Sequence, residues 1–311
     1  ALGITYMNAT QGWVPTFDGA VADVPVTGNQ NGIFGYGKNA DVSMTNLVNS
    51  SGVVSSDVSG VGTARAHLAA CEYGEDKAIF GYGNAGGSVS MSNLVNSSGV
   101  VASDVTGVGT ARYYLAACGY GGDKGIFGFG TTGSQVSMTN LVNSSGVIGT
   151  DVTGVGTDRS YLAATQYDFD KAIFAYGYDG SNVSLSNLVS NSGVVASDVT
   201  GVGTARQGLA AATYGGDKGI FAYGNTGSRV SMSNLVNSSG VVASDVTGVG
   251  TARMLVGACE YGQGKAIFAY GYNASDANVS LSNLISEAGV VASDVTGVGT
   301  ARRSVAACSY N

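Results

Sequence analysis

Short apolar runs alternate along the chain with clusters of Gly, Asp, Asn and Ser, and no run is long enough for a stable helix. The stretch from Arg112 reads RYYLAACGYGGDKGIFGFGTTGSQVSMTNLVNSSGVIGTDVTGVGTD. It divides into four runs: YYLAAC, KGIFGFG, QVSMTNLV and VIGTDVTGVG. The linking clusters supply positive backbone angles and side-chain turns, and YGGDK and NSSG read as tight hairpins. The first run is apolar on both faces yet made of small residues, which suits a strand crowded from both sides. In the second run bulky and small residues alternate, so Phe127 and Phe129 are expected on one side and Ile126 and Gly128 on the other.

The pattern recurs. The apolar tripeptide ending at Phe34 returns at Phe80, Phe127, Phe174, Phe221 and Phe268, with spacings of 46 and then 47 residues. The Arg of GTAR or GTDR falls at Arg65, Arg112, Arg159, Arg206, Arg253 and Arg302. Four strands in about 47 residues match a propeller blade. The chain ends on a first run, RRSVAACSYN, with no second run after it, and the array opens at Gly32 on a second run without a first. The expected fold is therefore all-β: a six-bladed β-propeller of four-stranded blades. The C-terminal strand would join the first blade and close the ring, leaving no free edge there. Residues 32–311 form this propeller and residues 1–31 an N-terminal arm or attachment segment.

Composition narrows the class further. The chain has 311 residues, with 50 Gly, 2 Pro and 11% charged residues against 44% hydrophobic ones. There is no G-X-Y period for collagen, no long apolar stretch for a membrane helix, and too much Gly, Ser, Thr and Val for a helical bundle. The net charge of −7, without a basic block, disfavours nucleic acid. Neither nucleic-acid binding nor membrane insertion is expected.

An Arg, a small apolar strand, a glycine turn, KGIFGFG and then a Val-rich strand together resemble the kelch repeat. In that family an Arg opens the inner strand and a double glycine closes the second. GYG or GFG stands in the double-glycine place here, and the tryptophan usual in the fourth kelch strand is absent. The resemblance covers about nine-tenths of the chain and implies binding more often than catalysis. Repeats this alike resemble the amplified propellers of phage and bacterial genomes. The segment ITYMNATQGWVPTFDGAV, which holds the single Trp13, is similar to strand-rich segments of phage tail and fibre proteins.

Candidate chemistry is sparse. Cys71, Cys118, Cys259 and Cys308 share one repeat position with Thr165 and Ala212, which marks a small buried slot. No zinc spacing occurs, and disulfides between neighbouring inner strands stay open. The six arginines allow two readings: a ring of anion-binding groups at a channel mouth, or staples paired with Asp57, Asp104, Asp151, Asp198, Asp245 and Asp294. Their presence in every copy favours the staple. His67 is the single histidine and reads as a variable surface residue, too isolated for a triad or a copper site. SDVTGVGT resembles the Asp-box of sialidases but departs in spacing and lacks its closing aromatic. No calcium loop is present. The NSS sequences at Asn49, Asn96, Asn143 and Asn237 fit a glycosylation sequon but read better as hairpin turns.

Between copies, variation gathers in the pair after each Arg and in the loop between second and third strands. In an up-and-down blade both lie on one face, around the channel mouth. The candidate ligand-binding residues on that face are Lys38, His67, Tyr113, Tyr114, Tyr161, Tyr178, Asp179, Gln207, Asn225, Arg229, Tyr272 and Arg303. Tyrosines with Asn, Asp and Gln make an adaptable contact surface, although unconstrained drift also makes loops vary. The expectation is a non-enzymatic binding or structural module without cofactor or metal. It would be a phage virion fibre or adhesion component recognising a host-surface glycan or protein, joined to other virion proteins through residues 1–31. Its location would be the virion or an extracellular surface. A free-standing kelch-type protein scaffold is the alternative, and a glycan-active enzyme the third.

Overall fold

In a computed structural model the described residues are 29–311 together with an antiparallel strand pair, Gly3–Asn8 and Gly12–Phe17, in which Tyr6 stands opposite Trp13. The rest of residues 1–31, on which the attachment role was expected to rest, lies outside the described residues.

The described residues are all-β. Six separate three-stranded antiparallel sheets follow one plan, with the second run of each unit in the middle. Ala116–Tyr120, Lys124–Gly128 and Thr139–Val142 make one of them. In another, the last strand, Ala306–Tyr310, pairs with Asn31–Gly35, which pairs with Thr45–Val48.

Four-stranded sheets were expected, and the fourth run departs from that. It touches the third strand at two isolated bridges, Val142 with Ile148 and Thr139 with Val152. The register slips by one residue between those bridges, as a β-bulge does. In the first unit a side chain interrupts the ladder as well, since the Leu47 amide donates to Ser55 Oγ at 2.9 Å. The second run departs too. Phe129 takes a φ of 63°, which turns its ring away from the side that Phe127 faces. Phe127 packs with Tyr82 of the preceding sheet, and Phe129 packs with Phe174 of the following one.

The inner strands are Ala69–Tyr73, Ala116–Tyr120, Ala163–Tyr167, Ala210–Tyr214, Gly257–Tyr261 and Ala306–Tyr310. Each packs on the next in chain order, and Ala306–Tyr310 packs on Ala69–Tyr73. The apolar core is accordingly six layers, each built from two adjacent sheets. The four cysteines are free and buried. Their slot is tight: a Cβ on Gly125 would come within 2.5 Å of Cys71 Sγ. Thr165 takes the same place against Gly219.

Arginines hold the layers together from inside. All six are fully buried. Arg112 donates from Nε to the Phe129 carbonyl at 2.8 Å, from one terminal nitrogen to the Thr110 carbonyl at 3.1 Å, and from the other to Asn140 Oδ1 at 2.8 Å. Its guanidinium lies 4.4 Å from the centre of the Tyr82 ring in the preceding unit. Arg65, Arg159, Arg206, Arg253 and Arg302 repeat this arrangement.

The expected Asp partner is secondary, with Asp151 Oδ1 4.0 Å from the guanidinium. Asp151 also accepts hydrogen bonds from the Thr110 amide and hydroxyl and from Asn140 Nδ2. Partial burial pushes its pKa up, but those hydrogen bonds win and hold it below the ordinary carboxylate value. The six expected Arg–Asp pairs are present at 3.6–4.0 Å, and a shorter relay through Asn and Thr joins the same groups.

Candidate functional site

Two residues follow each buried Arg, and the fold gives them different tasks. The first bridges the residue just after the GYG or GFG turn. The pairs are Lys38 with Arg303, Ala66 with Asn84, Tyr113 with Thr131, Ser160 with Tyr178, Gln207 with Asn225 and Met254 with Tyr272. The turn depends on glycine: Gly130 has a φ of 105°, and a Cβ there would meet the Tyr113 carbonyl at 2.9 Å. The two variable sets therefore meet residue by residue.

The second residue takes the left-handed conformation and lines a cavity. Its φ is 59° at His67, 55° at Tyr114, 56° at Tyr161, 65° at Gly208, 56° at Leu255 and 55° at Ser304. Five of these are not glycine, and each costs on the order of 1 kcal/mol or more. A circuit of backbone hydrogen bonds compensates. The Tyr114 amide donates to His67 at 3.0 Å, Tyr161 to Tyr114 at 2.9 Å, Gly208 to Tyr161 at 2.9 Å and Leu255 to Gly208 at 2.7 Å. Ser304 donates to Leu255 at 2.9 Å and His67 to Ser304 at 3.3 Å, which returns to the start.

This circuit rims a cavity of about 120 Å³. Beneath the rim lie Leu68, Leu115, Leu162, Leu209, Val256 and Val305, and alanines such as Ala70 and Ala164 separate the cavity from a second one deeper in the channel. One sector of the rim is aromatic. Tyr114 and Tyr161 stack at 3.6 Å between ring centroids, His67 lies 4.1 Å from Tyr114, and Tyr113 flanks Tyr114 at 4.9 Å. The Tyr114 hydroxyl is 3.3 Å from His67 Nε2. His67 is half-buried in this rim, not a surface side chain. Burial, and then the charges of Lys38 and Arg303, lower its pKa to about 3, so the imidazole is neutral. Burial raises the pKa of both Tyr114 and Tyr161.

The outer ring holds the remaining candidates. Tyr272 lies between Arg303, at 4.4 Å from its ring centre, and Arg229, at 5.0 Å. Arg229 pairs with Asp276, and Lys38 with Asp41 at 3.5 Å. Asn225 Oδ1 accepts from the Gly227 amide at 2.6 Å, and Asp179 Oδ1 accepts from the Ser181 amide at 3.0 Å, so these two shape their own loops. Asp179 is exposed, while Tyr178 and Gln207 are half-buried within their bridges.

Ser304 and Leu255, which the sequence set apart only as members of variable pairs and not as candidate ligand-binding residues, line the cavity too. Sequence reasoning missed the far end of the channel. There the residue between the small buried position and a constant Tyr points inward: Glu72, Gly119, Gln166, Thr213, Glu260 and Ser309 surround a cavity of about 50 Å³. Burial raises the pKa of Glu72 to about 7, against a hydrogen bond from Asn29 Nδ2 at 2.7 Å. Burial, and then the charge of Glu72, raise that of Glu260 to about 8, against a bond from the Gly264 amide at 2.7 Å.

The NSSG turns are capped by their own Asn. Asn143 Oδ1 accepts from the Ser145 and Val147 amides, both at 3.0 Å. Gly146 of the same turn lies against the Tyr73 ring, at the far end of an inner strand. These turns thus sit opposite the aromatic mouth. Comparison of the chain with protein-family models and with curated proteins finds no match.

Proposed function

We propose that the six sheets are blades of a kelch-like propeller whose ring is closed by the C-terminal strand, and that its aromatic mouth binds a host-surface glycan without turning it over. The pairing of Ala306–Tyr310 with Asn31–Gly35 and the hydrogen-bond circuit through His67 and Ser304 support the ring. The observation that carries the binding reading is the stack of Tyr114 on Tyr161 beside His67, held at the rim of an open cavity. Five non-glycine residues are kept in a costly backbone conformation there, and such strain gathers at functional sites. Stacked tyrosines offer a flat apolar face and hydroxyls together, which matches a sugar ring.

Binding without chemistry is favoured by the protonation states. The titratable side chains lining the cavity are His67, Tyr114 and Tyr161, and burial moves all three away from neutral pH. None is poised to exchange a proton during turnover. The setting in this reading is a phage virion fibre or attachment component on an extracellular surface, with residues 1–31 joining the propeller to other virion proteins. The test is a glycan array and a host-cell panel probed with wild type and with a variant carrying alanine at Tyr113, Tyr114 and Tyr161. Loss of binding by the folded variant is expected, and unchanged binding refutes the reading.

A further inference from the structure

Arg303 stands apart from the other cations of the chain. Of the 14 Lys and Arg side chains, 13 lie within 4.0 Å of a carboxylate, and among the described residues Arg303 does not. Its guanidinium rests on the Tyr272 ring and donates to Asn278 Oδ1 at 3.2 Å. A guanidinium carries five N–H donors, so most of its capacity is unused.

Its neighbours are unsatisfied as well. Ser304 is 6% exposed, lines the mouth cavity, and its Oγ has no hydrogen-bond partner. His67, whose amide is bonded to the Ser304 carbonyl, has a buried Nδ1 without a partner. Leaving such buried groups unpaired forfeits their hydration without a protein bond in return. Lys38 adds charge to the same sector, since its backbone is bonded to that of Arg303 in both directions, at 2.7 and 3.1 Å. The fields of Lys38 and Arg303 both reach His67, and that of Arg303 reaches Tyr114.

A carboxylate answers all of these needs at once. Its two oxygens accept from a guanidinium, a hydroxyl and an N–H together. His67 supplies that N–H when Nε2 accepts the Tyr114 hydroxyl proton, because Nδ1 then carries the hydrogen. A neutral hydroxyl group would satisfy Ser304 and His67 but leave the charge of Arg303 uncompensated. The aromatic platform begins immediately beside this group, with Tyr114 4.1 Å from His67.

We propose that the Arg303–Ser304–His67–Tyr114 sector is a subsite for a carboxylated sugar, whose carboxylate meets Arg303, Ser304 and His67 while its ring packs along the Tyr114–Tyr161 stack. The inference rests on the binding reading of the mouth and names the class of glycan it takes.

Titration calorimetry tests it with galacturonate, glucuronate and sialate oligosaccharides and with the same oligosaccharides methyl-esterified at the carboxyl. Wild type is expected to prefer the free acids by about tenfold or more, the effect of one charge-assisted contact. Arg303→Gln and, as a milder change, Ser304→Ala should reduce that preference. Lys124→Gln, on the opposite face, should leave it intact. Esters that bind as tightly as acids overturn the carboxylate subsite while the mouth remains a glycan site. If no oligosaccharide binds, or Tyr114→Ala binds unchanged, the underlying reading falls with it. Binding of an acidic peptide in place of the sugars overturns the proposal too.

Discussion

The amide of His67 donates to the carbonyl of Ser304 at 3.3 Å, joining residues near opposite ends of the repeat array. It is the longest of the six bonds in the circuit around the channel mouth. Because each member sits at a positive φ, the circuit constrains which residue types its positions tolerate.

Leu255, at a φ of 56°, tests that constraint. Leu255→Val places a β-branched side chain in the left-handed region and should cost about 1–3 kcal/mol beyond Leu209→Val, which removes the same methylene from the adjacent wall. Urea denaturation of the two variants measures the difference. Equal losses would mean that the backbone conformation stores no strain.

Arg112 is the natural target for the staple. Arg112→Ala leaves Asn140 Oδ1 and the Phe129 carbonyl without their donor in a buried layer, so a loss of about 3–5 kcal/mol is expected. Arg112→Lys should recover little of it, because an ammonium cannot reproduce three directed bonds and a flat ring contact. Thermal unfolding checks both.

The far end of the channel makes stability depend on pH. Glu72 and Glu260 have folded pKa values of about 7 and about 8, above the ordinary 4.5 of an unfolded glutamate. Between those limits these two side chains hold more protons in the folded chain than in the unfolded one, so their contribution to stability falls as pH rises from about 5 to about 8. The groups facing them are Asn29, Gln166 and Ser309 together with the Gly264 amide, none of which carries a compensating positive charge. Denaturation midpoints across this range should slope downward in wild type and flatten in a Glu72→Gln, Glu260→Gln double variant.

Burial raises the pKa of all four thiols. The folded protein should therefore resist alkylation near pH 8 and release four reactive thiols once unfolded, as counted by a thiol reagent. Rapid labelling of the native chain would contradict the packing of Cys71 against Gly125.

Much of this architecture is written in the repeat itself. The spacing of Phe34 to Phe268 and of Arg65 to Arg302 defines the units. The alternation in KGIFG defines a central strand, and the Cys, Thr and Ala exchange marks the slot at Cys71. What escaped were features that periodicity does not encode. Phe129 left its expected side because its backbone angle reverses the alternation after Gly128. The Arg-to-Asp pairs were legible, but not that Asn140, a residue common to every unit, bonds both Arg112 and Asp151. The inward carboxylates went unseen because Glu72 and Glu260 occupy a strand that reads as apolar from its small neighbours. At the mouth, the variable pairs were legible as a set. The unsatisfied state of Ser304 and His67 appears only once the chain's two ends are brought together.

The central claim is that the aromatic mouth, and not the opposite face, is where a glycan binds. Surface plasmon resonance on host-surface polysaccharides tests it most directly with two folded variants side by side. One replaces Tyr113, Tyr114 and Tyr161 by Ala, and the other replaces Ser51, Ser98 and Ser145 in the opposite hairpin turns by Ala. The account predicts that the first variant loses about tenfold or more in affinity while the second binds like wild type. Equal binding by the mouth variant and wild type, or a loss confined to the hairpin variant, would contradict it.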